Sequence, residues 1–338
     1  MTVNFQTIGD LAQSFALRRQ GVDLRQQLDR LGLELSSGRA ADLGLHLSGN
    51  FLPLADIEHE LVLLAGHRTA AREAATDTEV MQAALARVQS ATTDLAAQAI
   101  TLGTAGTTRQ VSDVANSAVQ ALGSLIGALN TEVAGRSLFS GAQTDTSPLA
   151  PAETLLSEVR GALIGATSAA EVQSRLDIYF DSPSGGFLAS IYQGGHSEVA
   201  TYRLGSGESV ALDIRADDKG LREALKQVAL IAVSDDAGLS LPLGDRIALA
   251  SGAGVALLAH QDVLTAMRAS LGQAENRIAQ STVRIATEIT SFEIARAELI
   301  SVDAFKTAVD LEQVQIQLES LYTVTARASR LSLLNFLS

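Results

Sequence analysis

Glu58, His59 and Glu60 stand together, with His67 eight residues after His59. Carboxylates and imidazoles in one short stretch are the material of a metal site or an acid–base pair. A metal pair on one helix face needs ligands three or four residues apart, and a separation of eight does not supply it. The stretch reads as exposed helix surface. His46, His196 and His260 are isolated from one another in sequence. Asp217 and Asp218 beside Lys219 offer oxygens of the kind calcium takes, but without the EF-hand spacing, so they read as a solvated turn before a helix. The Gly-Ser-Gly at 205 to 207 opens like a dinucleotide-binding loop, yet no GxGxxG is completed and a strand follows, which makes it a hairpin turn. Ser36, Ser37 and Gly38 are accounted for by a helix stop rather than an anion nest. No HExxH, GxSxG or GxxxxGK[ST] is present. The absence of Cys removes a thiol nucleophile, a disulfide framework and a cysteine-ligated metal. The expectation is a non-enzyme with no catalytic, cofactor or metal site.

The elements have to carry the function instead. Hydrophobic residues make up 46% of the 338, but aromatics only 4%, so the apolar content is mainly Ala, Leu, Val and Ile. That mixture suits long helices packed along narrow seams. A net charge of −13, with Lys and Arg scattered singly, argues against nucleic acid as a partner. MTVNFQTIGD has no basic leader or apolar run of signal-peptide length. No apolar run approaches a membrane span, so no membrane insertion is expected. Ordinary targeting rules give a soluble cytoplasmic chain.

Helical spacing begins at Ile8, Leu11 and Phe15, and continues through Val22, Leu24, Leu28, Leu31 and Leu35. Leu17, Leu24 and Leu31 add a strict seven-residue repeat, and SSGR at 36 to 39 should stop the helix. Pro53 can open a second helix, whose stripe is Met81, Leu85, Val88, Leu95 and Leu102 before GTAGTT breaks or kinks it. A third runs from Val111 to Val133 and ends in GRSLFSGAQTDTSP, anchored by Phe139. Between about 150 and 240 the pattern changes. Short helices near 152–164 and 168–179 precede FLASIYQGG and VATYRLGSGESVALDIRADD, which read as strands, and then a helix at 221 to 233. From Leu243 helix resumes and hardly stops, with Leu271, Ile278, Ile285, Phe292 and Leu299 in register and a fresh start at Asp303. Leu311, Val314, Leu318 and Leu321 carry the stripe onward. Residues 246 to 301 alone would span roughly 80 Å as helix, and so long a seam needs the N-terminal arm beside it.

The fold class is therefore mainly α: a long antiparallel helical bundle or coiled coil formed by both chain ends, with a small α+β domain inserted in the middle. The divisions read as an N-terminal arm (1–40), the first part of a helical rod (41–148), the insert (149–242), the second part of the rod (243–300) and a C-terminal arm (301–338). The chain closes on LSLLNFLS, in which Leu331, Leu333, Leu334, Phe336 and Leu337 are large and apolar. Chain ends are normally polar and frayed. Two lone tails paired together leave apolar faces wet, so a repeating assembly of identical subunits is expected to cover them. The residues assigned to that subunit interface are Ile8, Leu11, Phe15, Leu318, Leu321, Leu331, Leu334, Phe336 and Leu337.

Helical arms, an inserted middle and apolar tails resemble the flagellin superfamily. GRSLFSGAQTDTSP (135–148) resembles the Gly-Arg-aromatic-Leu-Phe segment of the hook-associated protein three family, which forms the flagellar hook–filament junction. AVDLEQVQIQLESLYTVTARASRLSLLNFL (308–337) resembles that family's Gln- and Leu-rich C-terminal helix, and LDRLGLELSSGR (28–39) resembles a stretch shared with flagellins. The family's Asp-Asp-Pro-like turn is replaced here by ADLGLHLSGNFLPL, with Pro53 in its stead. The resemblance implies a structural flagellar subunit, homo-oligomeric in a helical assembly, with a neighbouring hook-associated junction protein and flagellin as partners. It also implies export without a cleaved leader through the flagellar type III apparatus, an export chaperone that grips the C-terminal helix, and an extracellular location. A divergent flagellin shares every arm feature, and a cytoplasmic coiled-coil scaffold is the further alternative.

Overall fold

The computed structural model describes residues 5–197, 201–205 and 207–337, with side chains described over 12–104, 106–197, 201–205 and 207–327. It comprises two units, Met1–Ala65 with Thr287–Ser338, and Gly66–Ala286. The chain is mainly helical, with long helices from both ends and short strands in the middle, as the periodicity predicts.

In the first unit α1 (Phe5–Ser37) lies antiparallel to α10 (Ala304–Leu337). Leu24 and Leu31 of α1 and Val314 and Leu321 of α10 form a buried strip, flanked by Leu17, Leu28, Leu311 and Leu318. The seven-residue repeat places these side chains in line, and burying each is worth about 1.5–3 kcal/mol. Arg25 braces the pair: its Nε and Nη2 donate to the Tyr322 hydroxyl at 3.0 and 2.7 Å. Helix α1 stops at the expected place because Gly38 takes a φ of +68°, a conformation open to Gly at no steric cost. A short helix, α2 (Leu43–His46), follows in what reads from sequence as plain connection; Asp42 caps it by accepting from the Leu45 amide at 3.0 Å. Helix α3 (Leu52–Ala105) opens one residue before Pro53. Asp303 starts α10 as expected, its Oδ1 accepting from the Phe305 and Lys306 amides at 2.9 and 3.0 Å. The two interruptions are tied together, since the Ala40 amide donates to Ile300 O at 2.9 Å and that of Val302 to Gly38 O at 3.1 Å.

In the second unit α3 runs antiparallel to α8 (Leu243–Ala259) and α9 (Gln261–Ile300). Gln82 bonds Arg268 O, Gln89 bonds Thr265 and Gln261 bonds Thr92, each within 3.0 Å, so the partner numbers fall as α3 advances. Leu271, Ile278 and Ile285 are buried along this contact. The helix expected to run unbroken from Leu243 is interrupted at His260, whose ring Nε2 lies 2.7 Å from Gly220 O. One 18-residue window within Leu243–Ile300 reaches a mean hydropathy of 1.4, enough by composition to cross a membrane, where the sequence reading expects none. A third of that window is buried, and at Gly254 of α8 the packing is close: a Cβ there would press into Ala99 Cβ of α3 at 2.8 Å.

Helix α4 (Thr108–Leu129) restarts after the GTAGTT break through a capping box between Thr107 and Gln110. Helix α7 (Lys219–Val233) carries Lys219, Arg222, Glu223, Lys226 and Gln227 on one face of its first half and is wholly apolar from Val228 onward. It is buried over most of its length against α4, α8, α6 (Ala169–Asp181) and α5 (Ala152–Leu163). The single charge deep in α7, Lys226, is held by Asp177 and Asp181 at 2.9 Å and Glu223 at 2.8 Å. FLASI, expected to be extended, is instead one wide helical turn in which the Tyr192 amide donates to Phe187 O at 2.8 Å. Phe187 stacks on Phe180 at 5.3 Å, and the five-residue turn buries Ile191 as well. Tertiary burial outweighs β-propensity there.

The GRSLFSG segment ties the middle of the chain together. Strands β1 (Glu132–Val133) and β2 (Arg136–Ser137) form a hairpin across Ala134 and Gly135, both at positive φ. Phe139 is fully buried, and its carbonyl accepts from the Ala216 amide at 2.9 Å. Ser140 O accepts from the Gly195 amide at 2.7 Å, and Gly141 has a φ of +65° at a point where a Cβ would collide with Gly195 O, leaving no room for a side chain. The expected hairpin of β3 (Tyr202–Gly205) and β4 (Glu208–Val210) is present, but β4 ends at Val210 and the strand expected to continue through ALDIRADD does not form. The Tyr202 hydroxyl donates to Asp77 of α3.

Burial and the neighbouring Asp77 push the Tyr202 phenol up to about 12. Burial likewise raises Tyr179, helped by Glu158, and Tyr192, helped by Asp217. Burial opposes the charge on Lys226, but the Asp181, Glu223 and Asp177 bonds overcome it and raise this group too. A raised folded pKa contributes stability fully present below the unfolded value and lost as pH climbs through the folded one. With unfolded phenols at about 10 and lysine at about 10.4, the contribution of these four groups to the second unit should be constant from neutral pH up to about pH 10 and fall steadily beyond it. Circular dichroism against pH checks this, and Tyr202→Phe should flatten part of the alkaline decline. Phe139→Ala should cost about 3–5 kcal/mol in denaturant unfolding.

Candidate assembly surface

The seam of α1 and α10 uses one stripe of each helix, and each helix carries a second apolar stripe. Phe15, Val22 and Leu33 of α1 recur at spacings of seven and eleven residues. At 3.6 residues per turn these positions lie about 160–180° from the Leu24 line. Phe305, Val309 and Ile316 of α10 recur at four and seven, and fall about 140–180° from the Val314 line. All six are exposed, Phe15 at 72% and Phe305 at 80%. Leu45, Phe51 and Leu52, around α2 and the start of α3, are also exposed. A helix polar on its outer face needs one neighbour, whereas a helix apolar on two opposite faces needs two.

Of the residues assigned to a subunit interface, Phe15 sits on this second stripe. Leu318 and Leu321 are engaged within their own chain, with Leu321 8% exposed in the seam. The side chains of Ile8, Leu11, Leu331, Leu334, Phe336 and Leu337 lie outside the described residues. The sequence reading runs Val22 together with Leu24 on one stripe, whereas the structure leaves Val22 exposed and buries Leu24; it passes over Leu33, Phe305, Val309 and Ile316. The signal for them is present as a second helical period opposite the first, hidden because the stronger leucine repeat dominates the same stretches.

The residues considered for chemistry take other roles. Glu58, His59 and Glu60 are exposed. His67 is half-buried, with Nδ1 3.3 Å from Arg203 O. The turn before α7 is not solvated as expected. Asp217 is largely buried, pairing with Arg215 at 3.3 Å and His196 at 3.5 Å. Asp218 Oδ2 accepts from the Arg215 amide at 2.9 Å, and burial raises its carboxyl above the usual range. Asp217 and Asp218 therefore brace the turn before α7 through Arg215 and His196. Among the described residues no group of three or more His, Asp or Glu is placed to hold a metal.

Substitutions separate the two stripes. Leu24→Ala in the seam should cost about 2–3 kcal/mol of first-unit stability, while Phe15→Ser and Phe305→Ser should each change it by less than about 0.5 kcal/mol. Denaturant melts followed by helix ellipticity measure both. A large loss from either Phe substitution would show that the outer stripe is packed within the monomer.

Residues 259–337 match the family described as the bacterial flagellin C-terminal helical region. No curated protein matches the chain. Among solved structures, a Vibrio parahaemolyticus protein assigned as a flagellar hook-associated protein superposes with a TM-score of 0.51 at 15% sequence identity, over 73% of this chain and 96% of that one. In its last helices the chain is thus similar to the flagellin C-terminal region, and its fold is similar to that of the Vibrio hook-associated protein.

Proposed function

We propose that this chain is a structural subunit of the bacterial flagellum that assembles through its paired terminal helices. The observation that carries the reading is the second apolar stripe on α1 and on α10, opposite the seam that already joins them. A monomer in water leaves both stripes wet, and packing identical subunits around a common axis covers them with the same contacts repeated. The likeness of residues 259–337 to flagellin supports the setting. Within it, the chain forms the junction layer between hook and filament on which flagellin polymerises, next to another hook-associated protein. The GRSLFSG and SLLNFL segments favour the junction over a divergent flagellin of the filament itself. Export proceeds through the flagellar type III apparatus, with a chaperone covering the C-terminal helix beforehand in the manner of a helix laid in a groove.

Cells lacking the gene should carry intact hooks without filaments and should lose flagellin monomers to the medium, as seen by electron microscopy and immunoblot. Normal filaments in those cells would overturn the junction reading. Replacing Phe15, Val22 and Phe305 together by Ser should leave helix content unchanged and abolish filament attachment, and Leu334→Ser with Phe336→Ser should do the same. Normal swimming in both multiple mutants would remove the packing of terminal helices as the basis of assembly.

A further inference from the structure

A cleft of about 320 Å³ opens in the second unit between the C-terminal half of α5 and the loop joining α7 to α8. Its walls are apolar, with Leu163, Val233 and Leu239 beneath and Ile164, 76% exposed, at the lip. Gly161 lies on the α5 side, and a Cβ placed there would meet nothing within 4 Å. A glycine in a helix interior costs stability relative to alanine, and no close backbone approach requires this one. The position therefore has room for a larger side chain on that side of the cleft.

The polar part of the cleft is one-sided. Arg160 Nε donates to Asp236 Oδ2 at 2.7 Å, while Asp236 Oδ1 accepts from the Gly238 amide at 2.8 Å. Both carboxylate oxygens are thus engaged. Arg160 makes its pair through Nε, and among the described residues no acceptor takes its two terminal nitrogens. The ion pair is neutral as a whole, so the cleft offers spare N–H donors without net charge. Its volume is about twice that of a cavity known to hold benzene.

We propose that this cleft binds a small neutral amphiphile: an aliphatic or compact aromatic body of about eight carbons by volume, ending in a carbonyl that accepts from Arg160. An ammonium head is disfavoured because it brings donors to a site already supplied with them. The site is independent of the terminal helices and of the assembly they support.

Isothermal titration of the full chain with octanamide tests it. One saturable site per chain is expected, with octylamine binding at least about tenfold more weakly and Arg160→Met losing about tenfold. Gly161→Leu, which fills the cleft, should weaken octanamide at least about tenfold while its thermal melt stays level or rises. Ile164→Asp, at an exposed position, supplies a second variant with the same expectation should Gly161→Leu fold poorly. Absent saturation, or binding unchanged in both variants, would overturn the proposal, since it would mean partition onto the exposed apolar stripes of the first unit.

Discussion

Two helices laid side by side bury one stripe each, and everything distinctive about the terminal arms follows from that limit. The α1–α10 seam is four buried side chains deep with four more at its edges, held in register by the leucine repeat. It closes on the Arg25–Tyr322 contact, where the guanidinium also lies 5.7 Å from the ring centre. The seam takes one apolar stripe of each helix, while Phe15, Val22 and Leu33 of α1 and Phe305, Val309 and Ile316 of α10 stay exposed.

The second unit is built on the opposite plan. Helix α7 is surrounded on all sides, so its apolar content is spent internally and the unit closes on itself. Polar pins fix its geometry: three carboxylates around Lys226, Asp77 on Tyr202, and Arg277 and Arg284 of α9 on the β3–β4 hairpin. Removing one partner of such a group is costly because the other is left buried without one. The Phe139 loop acts on the backbone in the same way, joining segments from 137, 195 and 216 that are far apart in sequence.

Legibility in the sequence tracked the range of the interaction. The helices, the stop at Gly38, the break at GTAGTT, the start at Asp303 and the seam leucines all depend on neighbours three to seven residues away, and all could be read directly. The π-type turn at Phe187–Ile191 could not, because its cause is Phe180 on a different helix. Nor could the break at His260, whose ring meets Gly220 from forty residues away, or the buried state of Asp217, set by Arg215 and His196 together. The outer stripe was in the sequence but masked, since Phe15, Val22 and Leu33 share a helix with a denser repeat. Leu318 and Leu321 were placed at a subunit boundary because their apolarity was legible and their partners, nearly three hundred residues earlier, were not.

The tied interruptions of the first unit bear on mechanics. A helix resists flexing through its unbroken ladder of backbone bonds, and a bundle whose helices break at staggered heights shares that resistance among them. Here both chain paths break at one height, between Ser37 and Leu43 on one side and between Ile300 and Ala304 on the other. Two backbone bonds and the short helix α2, with His46 Nε2 3.2 Å from Leu299 O, bridge the gap. Flexural stiffness has its minimum there, so curvature imposed on the first unit concentrates at that level, and the helices on either side remain straight.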